Sequence, residues 1–199
     1  MYIEIVILGI IIGGFRGGRL ANLTELNLRG WTLILLSLLV SLSPIFLSGI
    51  EFLENTQVYL LFFSMVIMLI VLALNLDKKG TWIMLIGGLY NLMIMVFNNF
   101  KMPVSMSNLE KAGLNTLFDG ITDGSIVNYV AAETTGAITV FTKFIAISSP
   151  YPFPKILSLG DVIMSLGLLI FIVGEMKKTN YYGKGKMVSY SYRSTRKRG

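Results

Sequence analysis

The chain has neither cysteine nor histidine among its 199 residues. Their absence excludes disulfides, thiol nucleophiles and histidine-ligated metals or haem, and it removes the commonest general base. Charge is scarce as well. Only 14% of the residues are Asp, Glu, Lys or Arg, against about 25% in a soluble domain. Hydrophobic residues make up 54% and the mean hydropathy is +0.70. Runs near 20 apolar residues recur, each long enough to cross roughly 30 Å of hydrocarbon. The composition predicts a polytopic membrane protein, with no cofactor and no metal.

Five spans are expected, at about 2–19, 31–50, 58–76, 81–97 and 157–173. They form an all-α membrane helix bundle over 1–176, followed by a basic tail at 177–199. The first apolar run, Tyr2 to Gly14, is short, but Phe15 and the long stems of Arg16 and Arg19 extend its reach. A secretory signal would need basic residues before the run and small residues after it. Glu4 is the only charge ahead of Arg16, and Phe15-Arg16 closes the run, so a retained helix is expected.

Orientation follows from the lysines and arginines. With five spans, one side holds Arg16, Arg19 and Arg29, then Lys78 and Lys79, then the eight basic residues between Lys177 and Arg198. The other side holds only Lys101, Lys111, Lys143 and Lys155. This places the N-terminus outside and the C-terminus in the cytoplasm.

The outer segment 98–156 is far longer than a connector needs, and such loops usually carry structure or function of their own. Ser107-x-x-Glu110 reads as a capping box for a helix reaching about Phe118, with Gly120 as its stop. A second helix is expected from Ser125 to Glu133. An apolar stretch from Ala137 to Ile147 would lie in the interface or over the bundle, and Pro150, Pro152 and Pro154 then close the loop in an extended run.

Four fragments, in this order and spacing, resemble an uncharacterised family of small five-span membrane proteins, mostly from clostridia and related bacteria. They are Gly17-Gly18-Arg19-Leu20, Met102-Pro103-Val104-Ser105, Glu110-Lys111-Ala112-Gly113 and Ser158-Leu159-Gly160-Asp161. The resemblance implies a multi-pass protein of a bacterial plasma membrane and brings no activity with it. This chain departs from the pattern in the outer loop, where Asn128-Tyr129 stands near a position the family gives to histidine.

Asp161 is the sharpest candidate for function. A carboxylate inside a bilayer costs about 2.5–3.5 kcal/mol on insertion scales, which favours a role as ligand, proton relay or general acid–base. Ser158-x-x-Asp161 equally fits a capping box at the head of the fifth span. Asn91, in the fourth span behind Gly87-Gly88, reads as packing glue or as a polar lining. Asn98 and Asn99 at the outer mouth complete the candidate ligand set. Arg16 and Arg19 flank a glycine-rich turn that lacks the Gly-Lys-Ser/Thr ending of a phosphate loop, and they are expected at anionic headgroups. Lys177, Lys178, Arg193, Arg196, Lys197 and Arg198 alternate with tyrosines in a tail suited to anionic lipid or a partner protein. Nucleic acid is the least favoured partner. The methionines, 11 in number, are expected to fill packing gaps.

With no catalytic constellation in view, the leading expectation is a non-enzymatic subunit or scaffold of a larger membrane assembly, with a membrane-protein partner or a second copy. The alternative is a small-molecule or lipid-binding transport component using Asp161 and Asn91. A further alternative is an intramembrane hydrolase with Asp161 and Glu133 as its acid and base. Its Gly-Asp opening has a superficial likeness to lipoprotein signal peptidase, but no second carboxylate sits in a comparable motif.

Overall fold

The computed structural model describes residues 2–43, 56–132, 141–148 and 150–178. Among these, the elements run α1 (Tyr2–Phe15), α2 (Ala21–Thr24), α3 (Trp31–Ser41), α4 (Gln57–Leu74) and α5 (Thr81–Phe97). There follow β1 (Met102–Ser105), α6 (Met106–Lys111), α7 (Asn115–Thr122), β2 (Tyr129–Ala132), β3 (Ile145–Ile147), β4 (Lys155–Leu157) and α8 (Leu159–Met176). Two helices, α4 and α8, are long and apolar enough to cross a membrane, at 18 residues each. The other apolar helices, α1, α3 and α5, have 14, 11 and 17 residues.

The bundle is assembled along glycines. A Cβ at Gly87 would lie 2.6 Å from the Gly160 carbonyl oxygen and 2.7 Å from the Met164 amide nitrogen. One at Gly167 would lie 2.6 Å from the Met84 nitrogen. Helices α5 and α8 therefore touch backbone to backbone, which only small residues permit. A second seam joins α1 to α8, where Gly9 faces Ile172 and Gly13 faces Met176. Its Gly-x-x-x-Gly spacing is a recognised close-approach pattern.

Asn75, almost fully buried, ties together the end of the bundle where α4 finishes and α3 begins. Its side-chain amide donates to the Arg29 and Val71 carbonyls at 2.8 Å each, and its oxygen accepts from the Arg29 backbone N–H at 3.0 Å. At the same end Met176 O accepts from the Arg19 backbone N–H at 3.0 Å and from the Asn22 amide at 2.6 Å.

The first span was expected to reach residue 19, but its helix ends at Phe15, and Gly17 at φ +77° begins the turn that follows. The expected second span is helical through Ser41, and its part beyond Ser43, with Pro44, lies outside the described residues. Helices α4, α5 and α8 begin and end within about three residues of the apolar runs at 58–76, 81–97 and 157–173, and of the three α4 and α8 are long and apolar enough to cross a membrane.

The all-α expectation needs correcting in segment 98–157, which among the described residues mixes short helices with four short strands. Strand β1 pairs in parallel with β2, Met102 opposite Tyr129 through Ser105 opposite Ala132, where a second helix was expected. An Asp123–Gly124–Ser125 turn, with the Ser125 N–H on the Asp123 carboxylate at 2.9 Å, halts helix growth before that region. The β-prone Tyr129-Val130 then satisfies the buried backbone of β1, so tertiary pairing overrides local propensity.

The Ser107–Glu110 capping box does not form either. Strand β1 runs through Ser105, the helix starts directly at Met106, and Ser107 falls inside it. Gly113, at φ +69°, ends the helical stretch after Lys111, and α7 restarts at Asn115 with Gly120 inside it. Val104, Leu109 and Ile156 form the buried centre of a cap over one end of the bundle, while Met102, Ile94 and Met95 join the cap to the bundle.

Candidate functional site

The head of α8 is where cap and bundle meet. Strand β4 pairs antiparallel with β3, Ile145 opposite Leu157, and delivers Ser158 as the N-cap residue of α8. Here the Ser-x-x-Asp pattern is realised in full. Ser158 Oγ accepts from the Asp161 N–H at 3.0 Å, and Asp161 Oδ2 accepts from the Ser158 N–H at 3.1 Å. Two helix-terminal donors are thereby satisfied, and the carboxylate sits at the positive end of the helix.

The cap is only half of what Asp161 does. Asn91 Nδ2 donates to Asp161 Oδ1 at 2.9 Å, and Ser158 Oγ donates to Asn91 Oδ1 at 2.7 Å, closing a three-residue ring across the α5–α8 seam. Gly160 is what admits the Asn91 amide, because a Cβ there would overlap its oxygen. The fourth member is Lys143, whose Nζ lies 3.0 Å from Asp161 Oδ2. Its backbone is clamped to β1: the Lys143 N–H donates to Pro103 O at 2.9 Å, and the Ser105 N–H donates to Lys143 O at 3.0 Å. A strand edge thus aims one lysine at one aspartate. Asn91 and Asp161 are buried, and only 17% of the Lys143 side chain is exposed.

Burial works against the Lys143 charge, but the Tyr129 oxygen and the Asp161 carboxylate outweigh it and hold the ammonium above the ordinary lysine value of 10.5. A folded state that binds this proton more tightly than the unfolded chain keeps the pair's full contribution below about pH 10.5 and loses it only as pH rises through the folded value. The melting temperature of the purified protein is accordingly expected to be insensitive to this pair from about pH 7 to 9 and to fall only as pH rises beyond the ordinary lysine range.

The network forms one wall of a half-open pocket of about 440 Å³ between α1, α3, α4, α5 and α8, under the cap. Its polar end holds Tyr2, Asn91, Asn128, Tyr129, Lys143 and Asp161. Its body is lined by Met65, Met68, Met95, Met102 and Met164 together with Ile34, Leu38 and Leu61. Ser37, Ser41 and Ser64 add hydroxyls, of which Ser37 Oγ donates to Ser64 O and Ser64 Oγ to Leu61 O, both at 2.8 Å. The one ion pair in the wall is neutral overall. The volume lies within the usual 300–1,000 Å³ of small-molecule sites.

The structure brings together only part of the expected ligand set. Asp161 and Asn91 share the cavity wall. Asn98 does not join them: its amide donates to Ile94 O at 2.7 Å at the end of α5. Asn99, at φ 53°, forms the turn that follows. Glu133 and the tail residues Arg193, Arg196, Lys197 and Arg198 lie outside the described residues. Arg16 and Lys177 border a separate groove at the end of the bundle where α1 and α8 finish, Arg19 is exposed, and Lys178 bonds Glu175 at 2.5 Å. Lys143, Tyr129 and Asn128 were missed as site residues. No local pattern marks Lys143, because its partner is 18 residues away beyond a proline-rich run.

Among the described residues, no group of three or more acidic, cysteine or histidine side chains could hold a metal. Asp161 offers a poor base, since both its oxygens already accept bonds and a lysine neutralises it. What the arrangement provides is a held, uncharged polar patch above an apolar chamber. Neither a curated protein nor a solved structure matches the chain. The model of a family of unknown function (DUF5317) matches residues 25–173, a stretch that includes Asn91, Lys143, Ser158 and Asp161, and the chain belongs to that family.

Proposed function

We propose that this is a five-span protein of a bacterial plasma membrane whose outer cap roofs a half-open chamber for a small uncharged or zwitterionic amphiphile, and that it acts by binding rather than by catalysis. The observation that carries this reading is the cavity itself, with methionine-rich walls beneath a charge-neutral Lys143–Asp161–Asn91 patch. Apolar walls favour a hydrocarbon body, the amides and hydroxyls suit a polar head, and a paired wall favours no net charge. Methionine side chains adapt their shape to irregular ligands. A subunit or scaffold role rested on features the sequence lacks; the chamber is a positive feature and moves the reading to a binding component.

Several observations support the membrane placement. Leu35, Leu36 and Leu39 on α3, and Ile86, Leu89 and Met93 on α5, stand exposed around the bundle. Trp31 and Trp82, also exposed, open α3 and α5 at the end where Arg29, Lys78 and Lys79 lie, as interfacial aromatics do. Because the chain has no cysteine, single substitutions report topology cleanly. An impermeant maleimide added to intact cells is expected to label Ser107→Cys, and to label Thr24→Cys only after the membrane is opened. The reverse pattern contradicts the orientation.

The binding claim is tested by filling the chamber. Ser64→Phe places a ring at a lining position away from the Asp161 network. The wild-type protein, released from mild detergent in a mass spectrometer, is expected to carry a bound amphiphile, and the variant at least tenfold less of it with its fold retained. Equal retention by both proteins would exclude this cavity as the site.

A further inference from the structure

A second concavity, of about 400 Å³, lies at the opposite end of the bundle, between α1, the α4–α5 turn and α8. Three cations border it, each from a different part of the chain: Arg16 just past α1, Lys79 just before α5 and Lys177 just past α8. Its walls include Ile12, Leu169 and Val173, and none of its lining residues is acidic. The acids close in sequence are engaged elsewhere. Asp77 lies 3.7 Å from Arg29, and the buried Glu175 is held by Lys178 at 2.5 Å. The stem of Lys79 rests on α8 where Gly174 leaves the surface bare, since a Cβ there would lie 3.1 Å from Lys79 Cβ.

We propose that this groove is a site for one anionic glycerophospholipid, its phosphate held by Arg16, Lys79 and Lys177 and its acyl chains lying along α1 and α8. The site is separate from the outer chamber and rests only on the membrane placement of the bundle. A guanidinium meets phosphate oxygens in a fork, and lysines add charge from the sides. Basic pockets between helices at the cytoplasmic face have the chemistry of headgroup sites. A free anion would use the three cations and leave the apolar walls uncovered, whereas a lipid uses both.

The test uses the full chain in detergent, titrated with phosphatidylglycerol and followed by mass spectrometry of the intact complex. Arg16→Gln, Lys79→Gln and Lys177→Gln are each expected to weaken binding roughly fivefold, as removal of one interfacial charge does. Arg19→Gln removes the same charge at the same end from an exposed residue that does not line the groove, and is expected to leave binding unchanged. Phosphatidylcholine should bind poorly, and millimolar inorganic phosphate should not displace the bound lipid. A loss in Arg19→Gln equal to the others would reduce the effect to diffuse attraction and overturn the proposal. So would displacement by phosphate, which identifies a free-anion site, or equal binding of phosphatidylcholine. Retention of the outer amphiphile is measured on the same variants, so failure here leaves the chamber reading separately testable.

Discussion

Replacing Asp161 by alanine is expected to destabilise the protein by about 3–5 kcal/mol, the cost of leaving one partner of a buried ion pair without the other. The substitution strands the Lys143 ammonium, which is largely buried 3.0 Å from the lost carboxylate. It also removes the acceptor for the Ser158 N–H and for the Asn91 amide, undoing half of the α8 capping box and one of the two bonds that tie α5 to α8. For a chain of this size the loss corresponds to a fall of roughly 6–20 °C in melting temperature. The double variant Asp161→Asn with Lys143→Met keeps the shape and removes both charges. It is expected to recover more than half of the loss, because an apolar replacement of a buried pair is often neutral. If Asp161→Ala melts with the wild type, the network is ornamental to the fold. If the double variant is worse than the single one, the lysine is not the stranded partner.

The second large effect is steric. Gly87→Val introduces a Cβ 2.6 Å from Gly160 O and 2.7 Å from Met164 N, and both are backbone atoms that no rotamer change can move. Helices α5 and α8 must separate, which opens the seam that carries Asn91 and Asp161. Overpacking typically costs 1–3 kcal/mol and more where the backbone has to shift. A fall of roughly 6–12 °C in melting temperature is expected, together with loss of the retained amphiphile. Gly14 supplies the control. A Cβ there meets nothing within 4 Å, so Gly14→Ala should change the melting temperature by no more than about 2 °C. Equal losses at the two positions would assign the effect to general helix perturbation instead of the seam.

The parts of this architecture written in local sequence were readable and the parts built by distant pairing were not. The α4, α5 and α8 helices announce themselves as unbroken apolar runs. The α8 capping box is a four-residue pattern, and Asn91 behind Gly87-Gly88 marks a close helix contact within one turn. The same pattern at Ser107–Glu110 failed, because β1 takes the chain past the cap position before the helix begins. Strand β2 hid behind helix-compatible composition, for its reason to be extended lies in β1, 27 residues earlier in register. Lys143 was invisible for a related reason. Its aim is set by backbone bonds to Pro103 and Ser105, some 40 residues away in sequence. Methionines read one by one as gap fillers proved to share one chamber, since five of them come from α4, α5, β1 and α8.

Where an amphiphile sits on this protein is the question that decides the account. The direct measurement is photo-crosslinking of the full chain in zwitterionic bilayers with a diazirine-bearing monoacylglycerol, followed by mapping of the modified peptides. Adducts are expected on chamber residues of several elements, such as Met65, Met102 and Met164, and are expected to vanish in Ser64→Phe. Adducts confined to outward-facing positions such as Leu39, Ile70 and Met93, unchanged by Ser64→Phe, would mean that the probe sees only the lipid-facing surface and that the chamber binds nothing of this class.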